Sequence, residues 1–163
     1  MLSRMREVYS TAGIVVEVVS RENLSDIAAF NDLNDLDVGS CSGSTTEEQN
    51  QLFTHRTNVE NNEIVVYFVR STVPAENGCA THPDGQPGAV VTENASQWTL
   101  AHEVGHVLGL NHTSGEKDVD GRCITPDFTR LMTGCSTSGI TGTPTVDQGE
   151  MNIMTSSNLT RQC

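Results

Sequence analysis

Residues 99–112 read TLAHEVGHVLGLNH, and this stretch decides how the rest of the chain is interpreted. On an α-helix, residues four apart lie on the same face about one turn apart, so the imidazoles of His102 and His106 can reach one metal ion. Glu103 then lies beside that ion. The spacing therefore predicts a helix that carries two metal ligands and a neighbouring carboxylate.

His112 can supply a third imidazole only if the helix ends before it. In a continuous helix, His112 would lie about 9 Å further along the axis than His106 and on another face. Gly109 removes this obstacle, because glycine adopts the left-handed conformation that ends helices and reverses the chain. Three neutral imidazoles leave one position of a tetrahedral zinc ion open, which is typical of a catalytic rather than a structural site. We therefore predict zinc bound by His102, His106 and His112.

The full pattern, HExxHxxGxxH over residues 102–112, resembles the extended motif of the metzincin metallopeptidases. Thr113 follows the third histidine, and a small hydroxyl residue at this position is closest to the matrixin-like group. The resemblance implies a zinc-dependent endopeptidase that hydrolyses peptide bonds by zinc-activated water, with Glu103 as the general base. A non-catalytic zinc-stabilised binding module and a zinc hydrolase of non-peptide amides remain the alternatives, and the retained Glu103 argues against the first.

A second part of the resemblance lies in residues 131–134, which read LMTG and resemble the metzincin Met-turn. Met132 would then form a soft, buried floor under the imidazoles without binding the metal. Met154 is the competing candidate, but it falls in a segment with helical spacing. Gly134 stands where astacin-like and serralysin-like members place a tyrosine ligand, which argues against those branches. Residues 136–140 would wall the pocket for the side chain that follows the cut bond.

The resemblance also implies the fold class, which is α/β (α+β): a metzincin-like twisted mixed sheet with an active-site helix, a Met-turn and a C-terminal helix. The chain of 163 residues is most simply one catalytic domain over residues 1–163. Its N-terminal subdomain, residues 1–110, would end in the zinc helix, and residues 111–163 would form a C-terminal subdomain with the Met-turn and a closing helix. In metzincins an edge strand binds extended polypeptide substrate, and residues 88–93 would serve here. The rival interpretation of this segment is a plain core strand.

Local patterns predict the remaining elements. Apolar spacing and caps predict three further helices. The first covers residues 3–12, the second begins at a cap within residues 44–49 and ends near residue 56, and the third covers residues 146–159. A capping box of Asn94 and Gln97 would begin the zinc helix. Runs of β-branched residues predict strands at residues 14–19, 63–70 and 89–92. Residues 63–70 are apolar on both faces, which predicts a central strand. The predicted loops are residues 21–44, with one helical turn at 26–30, and residues 71–88.

The composition narrows the classes of partner. A formal net charge of -12 argues against a basic surface for nucleic acid or anionic membranes. Solubility is the simple interpretation of this charge, and selection of basic substrates is the alternative. No apolar run is long enough to span a membrane, and residues 1–6 lack the apolar core of a signal peptide. We expect a monomer whose partners are polypeptide substrates.

Five cysteines without a C-x-x-C pair indicate disulfides and an extracellular or other oxidising compartment. The connectivity cannot be deduced from sequence. One arrangement pairs Cys123 with Cys135, across the far side of the site, and Cys41 with Cys79. Because the count is odd, one thiol is left over or paired outside the chain.

Two further metal sites are considered. Four acids lie at relative positions 1, 3, 5 and 12 with Gly121 at position 6, which resembles an EF-hand calcium loop. These acids are Glu116, Asp118, Asp120 and Asp127. The Glu at position 1, the Asp at position 12 and the lack of a predicted flanking helix pair depart from that motif, so a solvated acidic loop is the alternative. His82 and Asp84 could hold a second ion, against an ordinary surface turn.

Overall fold

Four α-helices and five short β-strands follow one another along the described part of the chain, which confirms the α/β (α+β) class. The structure is a computed structural model that describes residues 1–25, 27, 30, 33–116, 118–119 and 123–161. The helices are α1 (Leu2–Ser10), α2 (Glu47–Phe53), α3 (Thr99–Val107) and α4 (Gln148–Ser156). The strands are β1 (Asp35–Asp37), β2 (Val65–Val69), β3 (Ser71–Val73), β4 (Gly78–Cys79) and β5 (Gly88–Thr92).

The chain forms two compact units. The first unit contains Met1–Val16 and Ser96–Cys163, and the second unit contains Glu17–Ala95. The division into subdomains at residue 110 stays a prediction. No helix within the described residues is both long enough and apolar enough to cross a membrane.

The second unit holds two small sheets. In one of them, β1 runs parallel to β3, with Leu36 opposite Thr72. In the other, β5 is central, with β2 parallel to it on one side and β4 antiparallel to it on the other. All five residues of β5 are buried, whereas Phe68 on β2 is 64% exposed.

The positions of β2 and β5 correct two predictions. Residues 88–93 cannot be the substrate-binding edge strand, because β5 already has hydrogen-bonded neighbours on both sides. The rival interpretation, a plain core strand, is confirmed. Residues 63–70 do not form the central strand, since β2 lies at the end of its sheet and exposes Phe68. Apolar residues on both faces of a strand therefore do not guarantee that both faces are covered.

The β-branched run Ile14–Val19 does not form the strand that its propensity predicts. Val15 and Val19 are 76% and 67% exposed. Hydrogen bonds and side-chain packing with a neighbouring strand stabilise a strand, so propensity alone does not create one. The opposite error concerns β1, β3 and β4, which lie in segments predicted to be loops. The predicted turn at residues 26–30 lies partly outside the described residues.

Buried apolar side chains form the core of the second unit. They are Leu33, Leu36, Val38, Leu52, Phe53, Tyr67, Cys79 and Val90. Helix α2 begins with a capping box, in which the Thr46 hydroxyl accepts from the Gln49 N–H and the Gln49 side chain accepts from the Thr46 N–H. The predicted start of this helix is confirmed, while its end comes at Phe53 rather than near residue 56.

Helix α1 packs against α3 in the first unit. The Tyr9 hydroxyl donates a buried hydrogen bond to the Ala101 carbonyl at 2.8 Å. The Arg4 guanidinium lies 5.5 Å from the centre of the Trp98 ring. The predicted first helix is confirmed with a slightly earlier end, and Gly13 follows it with a φ of 73°. These contacts hold α3 against α1.

The starts of the two later helices differ in their capping. The predicted capping box of Asn94 and Gln97 is wrong, because α3 begins later and Trp98 occupies its N-cap without a side-chain cap. Helix α4 does begin with a capping box, formed by Asp147 and Glu150. The predicted closing helix is therefore confirmed over a shorter range than residues 146–159.

Candidate metal centre

Helix α3 carries two histidines, and the turn after it brings in a third. His102 and His106 lie one turn apart on α3. Gly109 follows the helix with a φ of 102°. Glycine adopts a positive φ without the strain that a side chain would cause, so the chain reverses as predicted and returns His112 to the other two imidazoles.

The three imidazoles converge through their Nε2 atoms. The Nε2 atom of His106 lies 3.2 Å from that of His102 and 3.0 Å from that of His112, and the His102 and His112 atoms are 3.2 Å apart. Nitrogen ligands about 2.0–2.1 Å from one tetrahedral zinc would be about 3.3–3.4 Å apart, close to these separations. Within the described residues, this is the only group of three or more His, Cys, Asp or Glu side chains that could hold a metal ion.

Backbone carbonyls hold the opposite ring nitrogens of the two helical histidines. His102 Nδ1 donates to the Leu131 carbonyl and His106 Nδ1 donates to the Leu110 carbonyl, both at 2.8 Å. Because a carbonyl oxygen only accepts hydrogen bonds, each Nδ1 carries the proton and each Nε2 keeps its lone pair. This tautomer is the one that binds a metal ion through Nε2.

Burial keeps the helical imidazoles in the neutral form that binds metals. It lowers the pKa of His102 to about 4, although the hydrogen bond to Leu131 opposes this shift. Burial also lowers the pKa of His106. Exposure increases across the cluster, from buried His102 through half-buried His106 to exposed His112. Solvent therefore reaches the cluster from the side of His112.

Met132 packs against α3 at Gly105. Met132 is fully buried, and a Cβ added to Gly105 would lie 2.8 Å from the Met132 Sδ. Only a glycine leaves room for this sulfur. The Thr113 N–H donates to the Met132 carbonyl at 2.9 Å, which joins the segment after the third histidine to the segment that contains Met132. Met154, the competing candidate for the Met-turn, lies in α4.

Two more glycines let the backbone around His112 approach closely. A Cβ on Gly134 would collide with the Ser114 carbonyl and would lie 3.3 Å from the His112 ring. A Cβ on Gly115, whose φ is 104°, would lie 2.6 Å from the Gly134 Cα. The Gly134 N–H donates to the Ser114 carbonyl at 2.7 Å. The sequence analysis did not identify the positioning roles of these glycines and of Gly105, and the only signal was that glycine occurs within the motif and close to its end.

Glu103 follows His102 directly on α3 and is 8% exposed. Burying a carboxylate is costly unless a charge or a hydrogen bond compensates, and such groups are concentrated at functional sites. Helix α3 therefore carries one buried acid directly after the first of the three converging histidines. The role of Glu103 as a general base stays a prediction.

The described residues do not form the predicted calcium site. Glu116, Asp118 and Asp127 belong to no group within them that could hold an ion, and Asp120 lies outside them. Calcium is therefore not supported. The Asp127 carboxylate instead accepts hydrogen bonds from the Thr129 hydroxyl at 2.6 Å and from its N–H at 3.0 Å, and these bonds lower the pKa of Asp127.

The second metal site considered from the sequence, His82 with Asp84, is also without support. Neither residue belongs to a metal-binding group of three or more side chains within the described part of the chain. His82 Nδ1 lies 3.0 Å from the Pro83 carbonyl and donates to it. The interpretation as an ordinary turn therefore fits this segment better.

Within the described residues, each compact unit contains one disulfide. Cys41 pairs with Cys79 in the second unit, and Cys123 pairs with Cys135 in the first, with Cα atoms 5.5 and 5.7 Å apart. This is the arrangement considered from the sequence, and Cys163 lies outside the described residues. Such pairs are typical of proteins in an oxidising compartment.

Comparison with known families adds one finding. The model of the family described as Peptidase M66 matches residues 40–126, which is more than half of the chain. The matched span includes Glu103 and all three histidines of the cluster, and it ends before Met132. A search among curated proteins returned no match.

Proposed function

Because the chain belongs to the peptidase M66 family, we propose that it is a zinc-dependent endopeptidase with a metzincin, matrixin-like site. The observation that carries this proposal is the convergence of the Nε2 atoms of His102, His106 and His112 to within 3.2 Å of one another. Membership of a peptidase family supports the reaction, which is hydrolysis of a peptide bond. The histidine cluster supports the use of a metal ion in that reaction.

Zinc is the ion that best fits this set of ligands. Imidazole nitrogen is one of its preferred ligands, and three protein ligands with one open position are typical of catalytic zinc. When bound, zinc would acidify a water molecule and withdraw electrons from the carbonyl of the bond to be cut. His102, His106 and His112 would hold the ion through Nε2 as neutral imidazoles.

Glu103 would be the general base. Its carboxylate would accept the proton that the attacking water loses, hold it on an Oε atom and donate it to the nitrogen of the departing amine. The new carboxyl product keeps the water oxygen, the amine keeps the proton, and Glu103 returns to its ionised form. The burial of Glu103 directly after a histidine of the cluster supports this role, because buried ionisable groups are concentrated at functional sites.

Backbone carbonyls and Met132 would keep the ligands in place. The Leu131 and Leu110 carbonyls orient the rings of His102 and His106. Met132, as the methionine of a Met-turn, would fill the space against α3 without binding the ion. Ligands held in this way need little rearrangement when the metal binds, which favours high affinity.

Residues 136–140 would form a wall of the pocket for the substrate side chain that follows the cut bond. This segment is anchored to the start of α3, because the Thr137 hydroxyl lies 2.8 Å from the Ser96 hydroxyl and 2.7 Å from that of Thr99. Thr137 and Thr99 are both buried. These hydrogen bonds tie the segment to the helix that carries His102 and His106, which supports a role in positioning substrate.

We also propose that the protein acts in an extracellular or other oxidising compartment, as a monomer. The two disulfides support this compartment, because cytosolic thiols are kept reduced. Sedimentation analysis of the purified protein checks the monomeric state.

Metal analysis combined with cleavage of casein tests the proposed function. We expect about one equivalent of zinc per chain, and cleavage that stops with a chelator and returns when zinc is added. His112→Ala should lose both zinc and activity. His82→Ala, which removes a histidine outside the cluster, should keep both. Zinc binding without cleavage of any polypeptide would favour a binding module. Cleavage that persists after chelation and in His112→Ala would show that the reaction does not use a metal ion.

A further inference from the structure

A pocket of about 550 Å³ opens beside His112, within the first unit. His112 forms one of its walls, and four of the other lining residues follow it directly in the sequence. The other lining residues are Thr113, Ser114, Gly115 and Glu116, which follow His112 directly, and Thr125. Because the pocket shares a wall with the histidine cluster, a peptide whose cut bond lies at the cluster would place a neighbouring side chain in it.

The walls of this pocket are tied to each other. The Glu116 N–H donates to the Thr125 hydroxyl at 2.8 Å, and the Ile124 N–H donates to the Glu116 carbonyl at 2.9 Å. The disulfide between Cys123 and Cys135 anchors the segment that contains Thr125. These bonds hold Glu116 beside Thr125, and groups that are already held in place lose less entropy on binding.

The lining offers hydrogen-bond acceptors to a cationic group. Glu116 contributes a carboxylate, and Thr113 and Thr125 contribute hydroxyls. The described lining residues include neither a cationic nor a large apolar side chain. An ammonium or guanidinium group suits such a lining, because it only donates hydrogen bonds and carries the charge opposite to that of Glu116.

We propose that this pocket binds a lysine or arginine side chain of the substrate next to the cut bond, with Glu116 as its counter-ion. This inference rests on the proposed peptidase function and names its substrate class. The net charge of -12 supports it, since an anionic protein attracts cationic peptides over long distances. Selection of basic substrates, an alternative that the composition left open, would then take place in a defined pocket.

Three peptides that differ at one position provide the test. Mass spectrometry of the casein fragments made by the wild type and by Glu116→Gln first identifies the position beside the cut bond at which the residue preference of the two enzymes differs. The three peptides carry Lys, Gln or Glu at that position. The wild type should cleave the Lys peptide with a kcat/KM at least about tenfold above that of the Gln peptide, and the Glu peptide should be the slowest.

Variants of Glu116 separate the contribution of the pocket to substrate preference from the contribution of the overall charge. Glu116→Gln should raise KM for the Lys peptide about tenfold while kcat changes by less than about twofold. Glu116→Lys should make the Glu peptide the best of the three. Glu17→Gln, the same neutralisation at an exposed residue that does not line the pocket, should keep the wild-type order.

The outcomes distinguish this inference from the proposed function. Equal cleavage of the three peptides by the wild type, or a lysine preference that survives Glu116→Gln, would overturn the inference and leave the peptidase function intact. If Glu17→Gln loses the lysine preference as fully as Glu116→Gln does, net charge and not the pocket selects the substrate, and the inference is also overturned. If the zinc-loaded wild type cleaves no peptide, the proposed function fails and the inference fails with it.

Discussion

The ring of His112 lies against the backbone of Gly134, and a Cβ there would come to 3.3 Å from the ring. The same Cβ would collide with the Ser114 carbonyl, which accepts a hydrogen bond from the Gly134 N–H. A protein interior is too densely packed to absorb such an atom without movement of either the ring or the backbone. Gly134 therefore sets the position of a proposed zinc ligand.

Gly134→Ala should damage the metal site without changing a ligand. We expect a loss of about 1–3 kcal/mol in the free energy of unfolding, because overpacking forces the backbone apart. Displacement of the His112 ring should also weaken zinc binding about tenfold or more. Urea unfolding followed by fluorescence of Trp98, the one tryptophan of the chain, and a zinc competition assay measure the two effects.

Gly142→Ala is the matched control for this change. A Cβ at Gly142 would meet no atom within 4 Å, so both stability and zinc affinity should stay near the wild-type values. If Gly134→Ala behaves like Gly142→Ala in both assays, the close approach to His112 has no role in the site.

Glu103→Gln should separate proton transfer from metal binding. The amide keeps the size of the side chain but cannot accept the proton from water, so kcat should fall about 10²–10⁴-fold. Zinc content and the urea unfolding curve should change little. Turnover of a casein-derived peptide is the measurement, and Glu17→Gln at an exposed position is the control. A variant that retains the wild-type kcat would remove Glu103 from the mechanism.

Arg130 joins the segment that leads to Met132 to the start of α4. Its guanidinium donates to the carboxylates of Asp147 at 2.7 Å and Glu150 at 2.6 Å. The hydrogen bond from Arg130 holds the pKa of Asp147 below its ordinary value of 3.8. Because this pKa is lower in the folded state, the pairing stabilises the fold above about pH 3.8, and the stabilisation is lost as the pH falls further.

Arg130→Met should destabilise the first unit strongly. The Glu150 side chain is only 8% exposed, so loss of its cationic partner would leave a buried carboxylate with the Asp147 N–H of the capping box as its remaining partner within the described residues. We expect a cost of about 3 kcal/mol, measured by urea unfolding at pH 7 with Trp98 fluorescence. Arg6→Met, the same change at an exposed arginine of α1, should cost less than about 0.5 kcal/mol. Equal losses for the two variants would show that the charge cluster at α4 contributes nothing specific.

The two compact units differ in how their disulfides close the chain. The Cys41–Cys79 disulfide joins residues 38 apart, and the Cys123–Cys135 disulfide joins residues 12 apart. A disulfide stabilises a protein mainly by restricting the unfolded chain, and a longer closed loop restricts it more. The disulfide of the second unit should therefore contribute more to stability than that of the first unit.

Removal of each cysteine pair tests this ranking. Replacing both Cys41 and Cys79 by Ala should cost about 4 kcal/mol, and replacing both Cys123 and Cys135 should cost about 3 kcal/mol, by the loop-entropy relation. Thermal unfolding followed by circular dichroism, with and without a reducing agent, measures these losses. The reversed order, or a wild type whose unfolding is insensitive to reduction, would contradict the expectation.

The helices and the histidine cluster could be predicted from the sequence, because the information that forms them lies within a few residues. The spacing of His102 and His106 corresponds to one helical turn. Gly109 provides the positive φ at which the chain reverses. The cap at Thr46 marks the start of α2 from the local sequence in the same way. The position of each of these features depends on its near neighbours in the chain.

The order of the sheet and the fit around the site depended on the tertiary structure. β5 is central because β4, a strand of two residues in a predicted loop, occupies its second edge. Ile14–Val19 has strand propensity but is not a strand, since propensity needs a neighbouring strand to act on. Gly105 and Gly134 are needed because the Met132 sulfur and the Ser114 carbonyl lie opposite them. Such contacts join residues far apart in the sequence, and a local sequence pattern carries no information about which distant residue will contact it.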